Sequence, residues 1–489
     1  MSNEYITTIG LEIHAELSTK SKMWCGCKND PFVDKPNVHI CEVCMAHPGT
    51  LPVANKEAVK KTIEVGLAIG ADIANFTEFD RKNYFYPDIP KGYQLSQYKL
   101  PIVSGGTING IDVTRVHLEE DTAKSGHDND RYTLVDYNRA GVPLMELVTE
   151  PVIHTAEDAG NFARELQRIL RYLGASEANM EMGQMRVEAN ISVARKSETN
   201  TGEPKAKADR YKNLGTKCEV KNLNSFRSVE EAIKYEVDRH IAILEEGGSI
   251  VQETRGWDEV KQETFSQRKK ENAHDYRYFP DPDLPKMYLH EIFDIDLMVH
   301  TLPELPKAKR GRYTNIFKLP NDLVEILVND PILAKFFENS LVKLGTGIEQ
   351  AKMCANYLIS DVLGLLKKEG KEINKENLPN EESFATMLSM IMKNELSSRG
   401  AKDLLPEIMG NIVVDVKALA ESKGLIQKND VEALKKIVAE VAKANEAQWN
   451  DFKNGNEKLL MFFVGKCMSA SKGSGNPQMF QEILKTAIS

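Results

Sequence analysis

Nowhere in this 489-residue chain do about 18 apolar residues follow one another, so no segment is long and greasy enough to cross a bilayer as a helix. The opening residues, MSNEYITTIGLEIH, lack both a basic stretch leading into an apolar core and an Arg- and Ser-rich amphipathic leader. That argues against export or organelle import, and a cytoplasmic protein of bacterial type is expected. Positive charge is not in surplus either. A formal net charge of -9 speaks against a sequence-independent nucleic-acid coat, though it leaves room for one local basic patch or a basic partner. Three nucleotide or hydrolase signatures are missing as well: the Walker loop G-x-x-x-x-G-K-[ST], the dinucleotide fingerprint G-x-G-x-x-G and the elbow G-x-S-x-G. A nucleotide would therefore need a different cradle. Of the seven cysteines, Cys218, Cys354 and Cys467 stand far apart, which excludes a disulfide-stapled secreted scaffold.

What is present is ordinary in bulk. Hydrophobic content of 41% and charged content of 28% describe a soluble globular chain whose length calls for about two to three domains. The fold class expected is α+β. Residues 1–293 read as a mixed sheet domain, 294–405 as an all-helical domain and 406–489 as a second, smaller helical domain. Strand patterning is clear in ITTIGLEIHAEL, where Leu11, Ile13 and Ala15 alternate with Glu12, His14 and Glu16. RVHLEEDTAK, MRVEANISVAR and KCEVKNLNS show the same habit. Thr155 and Asp158 open a helix carrying Phe162, Leu166, Ile169 and Leu170 and stopping at Gly174, and Ser228 with Glu231 is expected to open another that ends at Gly247. Residues 195–217, with seven basic and three acidic side chains, read as an exposed loop.

Two constellations carry chemistry. Cys25-x-Cys27, thirteen further residues, then Cys41-x-x-Cys44 places two close thiolates on each of two turns, which suits a tetrahedral metal with Zn–S near about 2.3 Å. Zinc fits the ligand count best. An iron–sulfur cluster matches on spacing, and a redox pair would want a βαβ setting that is absent. Four thiolates leave no open coordination position, so the role expected is structural, with His39 and His47 as surface residues. The second constellation is acidic. Glu12 with His14, Glu119 with Glu120, Glu146, Glu188 beside Asn190, and Glu219 beside Lys221 all come from strand-like segments. Carboxylates converging in this way raise each other's pKa unless a cation sits among them, and oxygen-rich ligation suits Mg²⁺ bridging to phosphates. Solvated edge acids are the plain alternative.

GLEIHAEL, FDRKNYFYPDIPKGYQLSQY (79–98), HLEED, LVDYNRAGVPLMELVTEP (134–151), EVKNLNSFRSVE (219–230) and AHDYRYFPDPDLP (273–285) together closely resemble the B-subunit family of glutamyl/aspartyl-tRNA amidotransferases. The resemblance runs in order along essentially the whole chain to FFVGKCMSASKGSGNPQ (462–478). It implies a cradle-type catalytic domain with a zinc knuckle, followed by helical domains ending in a tRNA-contacting tail. It also implies a three-subunit ligase with an amidase A subunit that draws ammonia from glutamine and a small C subunit. The B subunit in that family uses ATP and Mg²⁺ to phosphorylate the side-chain carboxylate of Glu-tRNA(Gln) or Asp-tRNA(Asn), which ammonia then converts to the amide.

Carried over residue by residue, the resemblance points to Glu12, His14, Glu119, Glu120, Glu146 and Glu219 as the metal and transfer cluster, with His14, Glu120 and Glu146 holding magnesium. Glu188, Asn190 and Lys221 follow as cofactor contacts; the family usually has Asp where Glu188 stands. Lys466 and Lys472 lie in a segment, 451–489, with five lysines against three acids, and are the RNA contacts expected. RKNYFYPDIPKGYQ reads as a packed, rigid loop at Tyr84, Phe85 and Tyr86, or else as an aromatic wall near the tRNA 3′ end. A non-catalytic zinc-containing tRNA-binding subunit, and a ligase acting on free amino acid, remain as alternatives. No Ser–Ser–Lys amidase signature is found, so no glutaminase activity is expected of this chain alone.

Overall fold

A computed structural model describes residues 4–126, 131–196, 214–269, 276–427, 431–471 and 475–487. Most of the polar loop expected at 195–217 lies outside them, as does Lys472. The chain divides into two compact units, Met1–Pro306 and Lys307–Ser489. Among the described residues of the second unit every extended element is helical, whereas the first mixes strands and helices, as an α+β chain should. No helix among the described residues is long and apolar enough to cross a membrane.

The elements of the first unit that bear on function are β1 (Tyr5–Glu16), α1 (Lys56–Ala68), β2 (Asp80–Asn83), β3 (Tyr93–Ser96), β4 (Ile111–Glu120), β5 (Pro143–Thr149), α2 (Ala156–Tyr172), β6 (Met185–Arg195), β7 (Cys218–Leu223), α3 (Phe226–Glu245), β8 (Glu253–Asp258), β9 (Glu263–Lys269) and β10 (Phe279–Pro280). A ten-stranded sheet runs in the order β9-β8-β7-β6-β1-β5-β4 and is completed by three two-residue strands. Among the described residues of this sheet β7 and β8 alone pair in parallel, and the other pairs are antiparallel. A second sheet joins β10, β2 and β3.

Period-two patterning divides the large sheet into two chemistries. On β1, Ile9, Leu11, Ile13 and Ala15 are at most 1% exposed and belong to one apolar cluster with Ile63 of α1, Phe162 and Leu166 of α2, and Ile233 of α3. The three helices therefore cover one face. Glu12 and His14 point to the other. The helix starts follow from capping: Thr155 accepts from the Asp158 amide, as its sequence predicts. α3 begins three residues before the expected start, because Ser225, not Ser228, supplies the cap, accepting from the Ser228 amide at 3.0 Å. Both serines are good cap residues, and Ser225 is the one that lets Phe226 join the helix.

One charged cluster is wholly inside this unit. Glu236 of α3 is 0% exposed and meets Arg239 at 2.8 Å, Arg255 at 3.2 Å, His240 at 3.3 Å and the hydroxyl of Thr264. Burial pushes its pKa up, but hydrogen bonds from His240, Arg239 and Thr264 outweigh this and bring it from 4.5 down to about 2. A depressed carboxylate contributes stability above its unfolded pKa and loses it as pH falls through the folded value. Glu236→Gln leaves two guanidinium groups facing a neutral amide and should destabilise the fold by about 3 kcal/mol at pH 7. Unfolding midpoints should converge between wild type and variant as pH falls from about 4.5 toward 2. Equal midpoints at pH 7 would show that the cluster is not stabilising.

Candidate functional site

The polar face of the large sheet carries a continuous row of ionisable side chains set by strand register. His14 of β1 stands opposite Glu146 of β5 and Arg186 of β6, and Glu146 stands opposite His117 of β4. In the neighbouring rank Glu12 faces Glu188 across β1 and β6, and Asn190 faces Glu219 across β6 and β7. Two groups of possible metal ligands result, His14–Glu119–Glu146 and Glu12–Glu188–Glu219, each with its ligand atoms within 4.8 Å of one another.

Glu146 is the pivot of the first group. Its carboxylate lies 3.3 Å from both His14 and His117, while His14 reaches Glu119 at 3.7 Å and His117 reaches it at 3.9 Å. Burial pushes the Glu146 carboxyl up, but the charge of His117 and hydrogen bonds from both imidazoles hold it well below the usual carboxylate range. Burial likewise opposes charge on His14. The bond to Glu146 and the negative charges of Glu146, Glu119 and Glu188 nevertheless push its pKa up to about 9. The imidazolium thus balances carboxylates that a divalent cation would otherwise balance. In the second group Asn190 donates to Glu12 at 2.9 Å, Lys221 to Glu188 at 2.8 Å and Thr254 to Glu219 at 2.7 Å.

The structure separates one residue from the set expected. Glu120 does not join His14 and Glu146, because strand alternation turns it away from Glu119. Its carboxylate takes Lys91 Nζ at 2.7 Å and the Leu95 amide at 3.0 Å, facing β3 and the cysteine loop instead. Glu119 takes the place beside His14, oriented by the Ser96 hydroxyl at 3.1 Å. Two contributors escape a reading of the sequence. His117 could have been found two residues before Glu119 on the same strand face; Lys82 on β2 carries no such signal. The packed loop expected at Tyr84–Tyr86 forms only in part. Tyr84 contacts Tyr86 and Tyr276 at 6.1 and 5.8 Å, but Phe85 is 80% exposed because β2 has already ended and the chain turns outward there.

The four cysteines do assemble. The Sγ atoms of Cys25, Cys27, Cys41 and Cys44 lie within 4.8 Å of one another, none is in a disulfide, and Cys41 and Cys44 are 3.9 Å apart. The sulfur–sulfur edge of a ZnS₄ tetrahedron is about 3.8 Å. A hydrogen bond from Cys25 lowers the Cys44 thiol to about 5 against the effect of burial, whereas burial lifts Cys27 to about 11. Four crowded thiols cannot ionise together without a cation, so the donor set fits a metal. Around it, the Asn138 side chain accepts from the amides of Val38 and His39, both at 2.9 Å, and fully buried Lys22 donates to the Tyr137 carbonyl at 3.0 Å. A further trio, Cys218–Glu236–His240, is close enough to ligate. It already holds Arg239 and Arg255 against Glu236, and two guanidiniums leave no electrostatic need for a dication.

Comparison with known proteins assigns the chain. Residues 7–293 match the family described as the GatB/GatE catalytic domain, and residues 335–488 match the one described as the GatB domain. The chain belongs to the GatB family. Among its relatives is a Thermoanaerobacter sp. (strain X514) protein named as the B subunit of the aspartyl/glutamyl-tRNA(Asn/Gln) amidotransferase. It is 41% identical over 494 residues, spanning 99% of this chain and 100% of that protein. The proteins of the same name from Thermodesulfovibrio yellowstonii and Persephonella marina are each 42% identical, over 489 and 493 residues, covering 98% and 99% of this chain and 98% and 100% of their own.

Every residue of the two acidic groups, and all four cysteines, fall within the part of this GatB-family chain that matches the catalytic domain. For the cysteine cluster, Cys44→Ser should abolish tightly bound metal, measured as metal per chain by mass spectrometry, and lower the unfolding midpoint by several degrees. Unchanged metal content in that variant would remove the cluster as a metal centre.

Proposed function

We propose that this GatB-family chain is the ATP-dependent subunit of a tRNA-dependent amidotransferase. It phosphorylates the side-chain carboxylate of Glu-tRNA(Gln) or Asp-tRNA(Asn) and presents the acyl phosphate to ammonia. The observation that carries this is the paired acidic groups, His14–Glu119–Glu146 and Glu12–Glu188–Glu219, side by side on one sheet face inside the region matched to a catalytic domain. A carboxylate is a poor electrophile, and phosphoryl transfer supplies its leaving group mainly through positioning and charge neutralisation. Glu119 and Glu146 would hold magnesium together with His14 once its imidazolium has given up a proton, with Glu12, Glu188 and Glu219 as a second set. A divalent cation held by these residues would supply positive charge to offset the negative charge of the phosphates. A pocket of about 300 Å³ opens beside Glu12 and Asn190, with Thr8, Gly10, Ser192 and Lys217 in its lining, and would take part of the ATP at that end of the row.

The chain's own groups then divide the work. Asn190 and Thr254 fix the orientation of Glu12 and Glu219. Lys221 offsets Glu188, and Ser96 fixes Glu119. In the first step a side-chain carboxylate oxygen bonds to the γ-phosphorus as the bond to the bridging oxygen breaks and ADP leaves. In the second, ammonia attacks the acyl carbon, the C–O bond to phosphate breaks, and the proton lost by nitrogen ends on phosphate. Ammonia would come from glutamine through an amidase A subunit, with a small C subunit completing a heterotrimer in the cytoplasm. The metal of the cysteine cluster would be a structural zinc. The tRNA would be held in part by the helices of 406–489, where Lys466 is exposed 5.5 Å over the Phe462 ring and Lys472 follows.

The deciding assay uses the reconstituted heterotrimer with labelled ATP, glutamine and either mischarged tRNA or free glutamate. Amide should form on tRNA only, and Glu146→Gln should slow it by about 10²–10³-fold. Full activity in that variant, or product from free glutamate, would overturn the assignment.

A further inference from the structure

Lys82 stands on β2 opposite Gln94 of β3, in the small sheet that closes over the end of β4. That sheet is tied to the strand end by three hydrogen bonds. Gln94 donates to the Glu120 carbonyl at 2.6 Å, the Leu95 amide to the Glu120 carboxylate at 3.0 Å, and Ser96 to Glu119 at 3.1 Å. Lys82 is therefore held at a fixed place beside the acidic row. Its ammonium lies 5.2 Å from the Tyr276 ring centre and 5.9 Å from that of Tyr84. Tyr278 completes the wall, edge-on to Tyr276 at 6.1 Å and stacked on Tyr98 at 4.5 Å.

The neighbouring cations are committed to carboxylates. Arg81 pairs with Asp281 at 2.5 Å and Asp283 at 3.0 Å, Lys91 with Glu120 at 2.7 Å, Lys221 with Glu188 at 2.8 Å and Arg186 with Asp121 at 2.9 Å. Arg115 reaches Glu146 at 4.0 Å. Lys82 differs. Among the described residues its ammonium has ring contacts but no hydrogen bond and no ion pair, while Glu119 and Glu146 act on its charge through space. A lysine whose task was to neutralise those two acids would sit against one of them, because a partly buried charge without a partner is costly. Aromatic faces offset about 0.5–2 kcal/mol of that cost and leave all three ammonium protons free. Such a group is built to receive an anion that is not part of the protein.

From this geometry we propose that Lys82 is a catalytic residue of the phosphoryl-transfer step, its ammonium donating to a peripheral oxygen of the phosphoryl group as it passes from ATP to the substrate carboxylate. The assignment rests on the function proposed above. In that step the new bond joins the carboxylate oxygen to phosphorus, the bond to the bridging oxygen breaks, its electron pair leaves with ADP, and no proton moves. Charge accumulates on the peripheral oxygens, and a fixed point charge there acts most strongly in the transition state.

The test compares wild type, Lys82→Met and Lys82→Arg in the reconstituted heterotrimer. It follows kcat and KM for tRNA amidation, hydroxylamine trapping of the acyl phosphate from ATP and mischarged tRNA, and the unfolding midpoint. Lys82→Met should lower kcat and hydroxamate yield together by about 10²–10³-fold with KM for the aminoacyl-tRNA within about threefold, and Lys82→Arg should recover at least about tenfold. Four results would overturn the role. Lys82→Met could keep kcat within about twofold, or give hydroxamate at the wild-type level; Lys82→Arg could be as impaired as Lys82→Met; or the loss could track a fallen midpoint in both variants. A wild-type complex that amidates neither tRNA overturns the proposed function and Lys82 together. An active wild type with an unimpaired Lys82→Met overturns Lys82 alone.

Discussion

Like charges on neighbouring strands are the constraint around which the first unit is organised. Side chains directly opposite on an antiparallel pair have Cβ atoms about 4.5–5.5 Å apart, close enough for two carboxylates to resist joint ionisation. The polar face of this sheet places five of them in two groups and manages the repulsion locally. Two imidazoles flank Glu146, an ammonium meets Glu188, and neutral donors hold Glu12 and Glu219. These devices reduce the repulsion among the five carboxylates. They depend in turn on the opposite face. Only because Ile9, Leu11, Ile13 and Ala15 are fixed in an apolar core under three helices are Glu12 and His14 held in register with their partners.

Support for the row comes from segments outside the large sheet. The strand β3 delivers three bonds to the last two residues of β4, and the cysteine loop grips the turn that follows it. Met23 donates to the Gly141 carbonyl at 2.7 Å, and Gly141 donates to that of Asp121 at 2.9 Å. Gly141 sits at φ +83°, a conformation that favours glycine, with Lys22, Cys44 and Glu120 all within 4 Å of where a Cβ would stand, in ordinary contact. The cysteine cluster therefore bears on the site through backbone placement, not through any ligand it shares with the acidic groups.

Features encoded within a few residues were legible in the sequence. The strands bearing Glu12, Glu188 and Glu219 announce themselves by alternation, the Thr155 cap by its spacing to Asp158, and the four cysteines by theirs. What was hidden depends on long-range packing. Nothing local says that Lys82 will come to rest near Glu119, since β2 reaches β4 only through β3, and the Tyr276 ring beside Lys82 lies almost two hundred residues further along the chain. Phe85 and Tyr86 look like core residues in composition yet fall where no element remains to cover them. The shift of the α3 cap from Ser228 to Ser225 is a choice between two equivalent local signals that only the packing of Phe226 settles.

The two adjacent acids that end β4 show what strand alternation does to evolutionary freedom. Glu119 and Glu120 look like duplicates in the sequence, yet one addresses the imidazole pair and the other the lysine beside the cysteine loop. They cannot substitute for one another, because moving either by one position delivers it to the wrong side of the sheet. A single-residue insertion or deletion anywhere between the register-fixing core of β4 and its end would exchange the two acids in one event. Point substitutions leave the two acids on their own sides, whereas a change of length there must be absorbed by a bulge to do so.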